Sequence, residues 1–222
     1  MTFAVVKVGG SLSQNPDALL ALCERLSQLS TKHRIVVVPG GAAFADCVRD
    51  LDKRFSLSAK TTHKMAILAM DQYGLMLSEL MPDCLVTDSL IETKVAANGG
   101  LVVFLPSRFM FLDDGLPNSW SVTSDSIAAY LSGKIWAEQL MLVKDVDGVF
   151  TDDPKLNQNA KLLNQLTARE LADLAGSVCV DAYLPKLLEK QKLPCYIVNG
   201  LFPERVEAIL NGQKTVGTTI LP

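Results

Sequence analysis

Two apolar runs near the start of the chain each end in a pair of glycines. Residues 5–11 read VVKVGGS, and residues 35–41 read IVVVPGG. Runs of β-branched residues that stop at glycine predict buried strands, each with a tight turn at its carboxyl end. Glycine lets backbone N–H groups approach a ligand closely, and a helix after the turn adds a positive dipole end that suits phosphate. The two strand ends therefore predict a pair of phosphate-binding loops.

A lysine lies inside the first of these runs. Lys7 comes two residues before Gly9, in an otherwise apolar strand. An ammonium group is costly to bury unless a fixed anion meets it, so Lys7 is expected beside the phosphate. Neither loop has the G-x-x-x-x-G-K-S/T or the G-x-G-x-x-G spacing, which argues against a P-loop NTPase and a dinucleotide fold. A steric role for either glycine pair alone stays open.

Composition and charge narrow the class of protein. The 222 residues are 49% apolar, enough for a sizeable core, and the net charge of −3 opposes a general nucleic-acid binder. The five cysteines are scattered without a C-x-x-C pair, which is typical of free thiols in a reducing compartment. The chain begins with a strand pattern rather than a signal peptide, and no uncharged apolar run reaches about 18 residues. A cytoplasmic protein that acts on a small molecule, without membrane or nucleic acid, is expected.

Strands and helices alternate along the sequence. Asn15 and Pro16 predict the start of a helix, whose apolar stripe is Leu19, Leu22, Cys23, Leu26 and Leu29. Further helices are predicted over residues 43–51, 62–80, 124–131, 167–174, 182–190 and 204–210. Further strands are predicted over residues 85–87, 101–105, 140–143, 195–198 and 218–221. This alternation predicts an α/β fold, a three-layer αβα sandwich around an open, mostly parallel sheet, with ligands at the carboxyl ends of its strands.

The second half of the chain carries a motif of its own. After the apolar residues 140–143, residues 144–155 read KDVDGVFTDDPK. A lysine at a strand end, followed by aspartate and glycine, can bind polyphosphate oxygens. The later Pro154 and Lys155 can form the wall of a base or ribose site. Asp-x-Asp-Gly is also an ordinary turn sequence. The turn-rich residues 113–118 predict a hinge between two halves.

The order of these motifs resembles the amino acid kinase family. The motifs are Lys-x-Gly-Gly-Ser, Pro-Gly-Gly, Thr-Ser-Asp-Ser opening a helix, and Lys-Asp-Val-Asp-Gly-Val-Phe-x-x-Asp-Pro, and the resemblance runs from Lys7 to Thr218. It implies one kinase domain over residues 1–222, with an acceptor-side half (1–117) and a nucleotide-side half (118–222). It also implies phosphoryl transfer from ATP, with Mg²⁺ held mainly by the phosphates rather than by protein ligands. Members of this family are usually dimeric or larger, so a homo-oligomer is expected.

The resemblance assigns roles to particular residues. Lys7 would stabilise charge on the transferring phosphoryl group, and Asp125 would orient the lysines or Mg²⁺, unless it only stabilises a helix start. The residues implied for the nucleotide are Gly9, Lys144, Asp145, Asp147, Gly148, Val149, Phe150, Asp153, Pro154 and Lys155. The residues implied for the acceptor are Gly10, Ser11, Gly40, Gly41, Ala42, Arg49, His63, Asp71 and Thr123.

Two departures from the family pattern bear on the acceptor. Ala42 stands where many members have a third glycine, and His63 stands about where uridylate kinases carry an acidic residue that holds the ribose. A histidine suits an anion or a single hydroxyl better than a diol, so uridine monophosphate is expected to be a poor substrate. Residues 65–73 resemble the branch that phosphorylates an aminomethylfuran methanol phosphate in methanofuran synthesis. The alternatives are a uridylate or isopentenyl phosphate kinase, or a non-catalytic protein that binds oxyanions or nucleotides on the same fold.

Overall fold

An eight-stranded sheet forms the middle of the protein in the computed structural model, which describes residues 1–97, 99–113, 115–154, 156–174 and 179–222. The strands are β1 (Phe3–Val8), β2 (Arg34–Pro39), β3 (Leu85–Thr87), β4 (Leu101–Phe104), β5 (Gln139–Lys144), β6 (Gln165–Thr167), β7 (Cys195–Asn199) and β8 (Thr218–Leu221). Their order is β3-β4-β2-β1-β5-β7-β8-β6, and all described neighbours are parallel except β7 and β8. The predicted mostly parallel sheet is confirmed.

Helices cover both faces of the sheet. They are α1 (Pro16–Leu29), α2 (Ala42–Phe55), α3 (Ala59–Glu79), α4 (Leu90–Ala96), α5 (Ser107–Leu112), α6 (Ser124–Ile135), α7 (Ala168–Asp173), α8 (Leu184–Gln191) and α9 (Pro203–Leu210). An apolar cluster lies on each face of the sheet, and successive residues of β1 pack in different clusters. Val5 belongs to one cluster and Val6 to the other. Burial on both faces explains why the central strands are continuously apolar.

The register of the central strands places the two glycine loops side by side. In β1, Val8 lies opposite Pro39 of β2 on one side and Val143 of β5 on the other. The N–H of Gly9 donates to the Val143 carbonyl at 2.8 Å, and the N–H of Gly40 donates to the Val8 carbonyl at 2.8 Å. Three strand ends therefore meet at one edge of the sheet.

Most predicted elements are present, with differences at their boundaries. Asn15 caps α1 as predicted, and the five residues of its apolar stripe are buried. The long helix α3 begins three residues before its predicted start, because the Ser58 side chain caps it by accepting a hydrogen bond from the Thr61 N–H. Residues Gly10–Gln14 form a 3-10 helix that the sequence analysis did not predict.

Four short elements were missed: that 3-10 helix, α4, α5 and β6. The start of α5 is held by a distant residue, since the Ser107 N–H donates to Asp71 at 3.2 Å. Such a tertiary contact leaves no local signal in the sequence. In the described part of the chain no helix has the length and apolarity needed to cross a membrane.

Candidate active site

A cleft of about 620 Å³ opens at the carboxyl ends of β1, β2 and β5. Nine of the predicted site residues line it: Lys7, Gly10, Ser11, Gly41, Ala42, Arg49, Thr123, Asp125 and Lys144. They come from both halves of the chain, so the cleft is built where the predicted acceptor side and nucleotide side meet.

A carboxylate between two lysines forms the centre of the cleft. The Nζ atom of Lys7 lies 2.8 Å from Oδ1 of Asp125, and the Nζ atom of Lys144 lies 2.8 Å from Oδ2. The Asp125 side chain is 4% exposed. Lys144 makes a hydrogen bond, whereas the Lys7 contact is an ion pair that leaves Oδ1 without a well-aligned donor among the described residues. The centre carries one net positive charge, which suits an anionic ligand.

Burial and charge act against each other on these three groups. Burial lowers the pKa of Lys7, and attraction by Asp125 only partly opposes this shift. Burial also acts to lower the pKa of Lys144, but Asp125 outweighs it, so this pKa is raised. Burial acts to raise the pKa of Asp125, but Lys144 and Lys7 hold it well below its usual range. Asp125 is therefore ionised at neutral pH and is a poor proton acceptor.

The glycine loops pack directly against each other. A Cβ added to Gly10 would lie 2.3 Å from the backbone N of Ala42, and one added to Gly40 would lie 2.6 Å from the backbone N of Gly10. Side chains at these positions would separate the loops. The contact between the loops therefore requires glycine at Gly10 and Gly40 for steric reasons. The N–H groups of Gly9 and Gly40 are used by the sheet, so neither is available to a phosphate.

Ala42 has a left-handed backbone at the start of α2. Its φ is 46°, a region that favours glycine. A glycine would adopt this backbone without strain, which gives a physical reason to expect glycine at this position. The methyl group of Ala42 lines the cleft.

Asp181 is a residue of the cleft that the sequence analysis missed. Its carboxylate accepts hydrogen bonds from Thr123 and Ser126 of the α6 start and from the N–H groups of Tyr183 and Leu184 at the α8 start. A signal was available, because an aspartate just before a predicted helix is a frequent N-cap. The second helix that it holds could not be read from local sequence.

Arg49 is already engaged by its neighbours on the acceptor side. It makes an ion pair with Asp46 at 2.7 Å, and its guanidinium lies over the Trp120 ring at 5.1 Å. The Trp120 indole N–H donates to Asp52 at 3.0 Å. Trp120 therefore joins α2 to the segment before α6 and forms part of the cleft wall.

A small side pocket of about 50 Å³ adjoins the cleft near His63. Gly41, Arg49 and Trp120 line both spaces, and Ile67 forms part of the apolar wall of the smaller one. His63 is 7% exposed and donates a hydrogen bond to the Ser119 carbonyl. Burial lowers the pKa of His63, so its imidazole is neutral at neutral pH. Binding an anion there would require a change in this bond or this charge.

Asp71 lies apart from the residues that line the cleft. Its carboxylate holds the start of α5, and burial raises its pKa despite the hydrogen bonds from Ser107. The geometry of the described residues gives Asp71 a role in fixing α5.

Much of the motif after β5 makes contacts with other parts of the fold. Asp147 accepts hydrogen bonds from Asn199 at 2.9 Å and from Arg205 at 2.6 Å. A Cβ at Gly148 would lie 2.4 Å from Oγ1 of Thr218, and the φ of Gly148 is 155°. The Thr218 hydroxyl also accepts from the Val149 N–H at 2.8 Å. These contacts fix the turn that follows β5.

The remainder of the motif lies near this turn. Asp145 accepts a hydrogen bond from the Ser11 hydroxyl at 2.8 Å, which links the first glycine loop to the end of β5. Phe150 forms an antiparallel bridge with Leu162. The N–H of Asp153 donates to the Asp152 carboxylate at 2.8 Å. Pro154 follows in the same loop, and the predicted Lys155 lies outside the described residues, as does Asp114 of the predicted hinge.

Comparison with known proteins identifies the family to which the chain belongs. The sequence profile described as the Amino acid kinase family matches residues 2–199. The 5-(aminomethyl)furan-3-ylmethyl phosphate kinase of Methanocaldococcus jannaschii is 34% identical over 98% of this chain and 97% of its own length. The uridylate kinase of Thermococcus kodakarensis is 27% identical over 98% of this chain and 99% of its own length.

Solved structures agree in fold. Uridylate kinase from Archaeoglobus fulgidus superposes with a TM-score of 0.80 at 23% identity, covering 98% of this chain and 99% of that one. UMP kinase from Bacillus anthracis gives a TM-score of 0.81 at 22% identity, covering 98% and 95%. The chain belongs to the amino acid kinase family, has its fold, and is a phosphotransferase.

Proposed function

We propose that this protein transfers the γ-phosphoryl group of ATP to a small phosphate monoester and so forms a diphosphate. The best candidate acceptor is the aminomethylfuran methyl phosphate named for the relative in Methanocaldococcus jannaschii. The observation that carries the proposal is the Lys7–Asp125–Lys144 centre at the floor of the cleft.

The state of the carboxylates favours an acceptor that is already an anion. Three aspartates line the cleft among the described residues: Asp46, Asp125 and Asp181. Asp46 is paired with Arg49, Asp125 lies between two lysines, and Asp181 is surrounded by donors. None is poised to remove a proton. A phosphate monoester needs no such base, since its second pKa is about 6 and its oxygen attacks as an anion.

The transfer step balances without a proton acceptor. An acceptor phosphate oxygen forms a bond to the γ-phosphorus while the bond from that phosphorus to the β–γ bridging oxygen breaks, and ADP leaves. Lys7 stabilises the charge on the transferring group, and Lys144 holds the donor phosphates. Asp125 keeps both ammonium groups oriented. Gly10 and Gly41 line the cleft, and we expect their backbone N–H groups to donate to phosphate oxygens.

Magnesium fits this arrangement as a companion of the nucleotide. Among the described residues no group of three or more His, Cys, Asp or Glu side chains could hold a metal ion. Mg²⁺ commonly binds through one or two carboxylates together with substrate phosphates. Both oxygens of Asp125 already lie 2.8 Å from a lysine Nζ atom, so the ion would be held mainly by the phosphates, whose charge it would neutralise.

The acceptor side supports a small, partly apolar acceptor. Arg49 can exchange its exposed partner Asp46 for an acceptor phosphate, because both side chains are accessible to water. The adjoining side pocket is small and is lined by Ile67, Met70 and Val122, which suits an apolar ring edge better than a ribose. We assign the acceptor to the half formed by residues 1–117 and the nucleotide to the half formed by residues 118–222.

We also propose that the protein assembles as a homo-oligomer through α3. Leu68, Leu75 and Met76 are exposed on this helix and lie on one side of it, at spacings of seven and eight residues. A surface of this kind is typical of subunit contacts. Light scattering after size exclusion measures the mass directly, and a monomer with unchanged activity would reject this assembly.

The test is an ADP-release assay with purified protein, ATP and Mg²⁺. The acceptors are the aminomethylfuran methyl phosphate, uridine monophosphate and isopentenyl phosphate, each at equal concentration. We expect the highest kcat/KM with the aminomethylfuran compound and a diphosphate product by mass spectrometry. Lys7→Met serves as the inactive control.

Each other outcome points to a different function. Efficient turnover of uridine monophosphate would make the protein a uridylate kinase, and a preference for isopentenyl phosphate would move it to that branch. Binding of ATP by calorimetry, without turnover of any acceptor, would instead support a non-catalytic nucleotide or oxyanion binder.

A further inference from the structure

Asp181 holds the start of two helices at once. Its Oδ2 atom accepts from the Thr123 N–H at 2.8 Å, the Thr123 hydroxyl at 2.9 Å and the Ser126 N–H at 3.0 Å. Its Oδ1 atom accepts from the Ser126 hydroxyl at 2.5 Å, the Tyr183 N–H at 3.1 Å and the Leu184 N–H at 2.9 Å. The partners on one helix flank the carboxylate at the centre of the cleft, because Asp125 lies between Thr123 and Ser126 in the chain.

This arrangement couples Asp181 to the catalytic centre without contact with the reacting atoms. Asp125 reaches both lysines at 2.8 Å from the first turn of α6. A shift of that turn would lengthen one ion pair or both. Asp181 also fixes the start of α8, and the preceding residues Cys179 and Val180 line the cleft beside it.

We propose that Asp181 is a positioning residue, which locks the first turn of α6 to α8 and so holds Asp125 between Lys7 and Lys144. This inference rests on the proposed kinase function, because the centre that it holds is the one assigned to phosphoryl transfer.

The site requires a charged acceptor rather than a neutral amide. Within the described part of the chain, every hydrogen-bond partner of the Asp181 carboxylate is an N–H or O–H donor. An asparagine would turn an NH₂ group toward some of them, so that donors would face donors. The two helix N-termini also favour negative charge. Asp181→Asn therefore changes the hydrogen bonding with almost no change in volume.

The test compares Asp181→Asn with a matched helix-cap variant elsewhere. Glu170 belongs to a capping box with Thr167 at the start of α7 and does not line the cleft, so Glu170→Gln is the control. We expect Asp181→Asn to lower kcat by about tenfold to a hundredfold, since misplaced catalytic groups cost on this order. The KM for ATP should change less than kcat. Glu170→Gln should lower the thermal midpoint without lowering kcat.

Ser126→Ala keeps the proposal testable if Asp181→Asn does not fold. It removes only the hydroxyl donor to Oδ1, and Ser126 is fully buried away from the cleft lining. Its kcat should fall in the same direction by a smaller factor. Unchanged kcat in both soluble variants, with only a lower thermal midpoint, would overturn the positioning role.

A measurement on Lys7 separates this inference from the proposed function. With selectively ¹³C-labelled lysine, NMR follows the titration of Lys7 in the wild type and in Ser126→Ala, which keeps the Asp181 charge that itself raises the Lys7 pKa. We expect the Lys7 midpoint to fall in the variant, because a displaced Asp125 opposes the burial of the ammonium less well. If the wild type phosphorylates no acceptor, the proposed function fails while this shift still tests the positioning. An unchanged Lys7 midpoint rejects the positioning itself.

Discussion

The centre around Asp125 and the segment of residues 145–163 differ in what their charged side chains contact. At the centre, Lys7, Asp125 and Lys144 converge on one cleft and are held by each other. In the segment, Asp147 is directed to Arg205 and Asn199, which fix the turn after β5. The motif that carries the most specific family resemblance is thus largely a scaffold in the described residues. Its first residue, Lys144, is the part that reaches the centre.

The difference has a physical cause. The two lysines of the centre lie on adjacent strands in the middle of a parallel sheet, and Asp125 reaches them from the first turn of α6, so side chains from distant parts of the chain meet there. The segment instead leaves the sheet and returns to it, so its polar groups must be satisfied within the turn. The Thr218 hydroxyl does this by accepting from the Val149 N–H and donating to the Leu163 carbonyl.

Removal of the Lys7 charge should have the largest effect. Lys7→Met should leave the fold intact and lower kcat by about a thousandfold, the scale for losing one key charge in a preorganised site. Steady-state kinetics with circular dichroism measure both quantities. Lys134→Met is the matched control, because Lys134 is a partly exposed lysine paired with Asp113 outside the cleft lining. A loss below tenfold would show that Lys7 is not the catalytic cation.

Loss of the central carboxylate should destabilise the protein in a pH-dependent manner. Asp125→Asn leaves two buried ammonium groups without their partner, which costs about 3 kcal/mol at neutral pH. Since the folded-state pKa of Asp125 lies below its unfolded value, its contribution is complete above the unfolded pKa of about 4. The difference between wild type and variant in urea unfolding should therefore shrink as the pH falls below about 4. A constant difference down to pH 2 would contradict the lowered pKa.

Lys144 and Asp147 provide a matched pair within one motif. Lys144→Ala should raise the KM for ATP more than that for the acceptor, because its ammonium group lies in the cleft. Asp147→Ala should act mainly on stability, by about 1 kcal/mol, since its ion pair with Arg205 is partly exposed. Arg205→Ala should reproduce that loss without adding to it in the double variant. A rise in the KM for ATP in Asp147→Ala as large as in Lys144→Ala would return Asp147 to the nucleotide site.

The sequence was sufficient for the sheet and for the residues at its strand ends. Buried strands appear in the sequence as continuous apolar runs, so β1, β2 and β5 were predicted, together with Lys7 of β1 and Lys144 of β5. The bonds from Thr123 and Ser126 to Asp181 and the contact of Arg49 with Trp120 were missed, because both join segments far apart in the chain. Trp120 illustrates this limit, since an aromatic residue in a turn-rich segment gives no local sign of the aspartate it meets.

The smallest expected effect concerns the backbone of the second glycine loop. Ala42 holds a φ of 46°, and a left-handed backbone costs a non-glycine residue about 1–2 kcal/mol. Ala42→Gly removes that cost but adds unfolded-state entropy worth about 0.5–1 kcal/mol. The net gain should lie between about 0 and 1.5 kcal/mol, and each kcal/mol corresponds to a rise in the thermal midpoint of roughly 2–4 °C for a chain of this size.

Ala43→Gly is the natural control for this variant. Ala43 is the next residue of α2 and has no positive φ, so glycine there should destabilise the protein by about 1 kcal/mol. Stability changes of opposite sign at these adjacent positions would show that the effect comes from the backbone angle rather than from the loss of a methyl group. Calorimetry of the two variants measures both signs. If both variants lose stability equally, the packing of the Ala42 methyl group outweighs the strain in its backbone. Side-chain contacts would then hold this loop, as they hold the turn after β5.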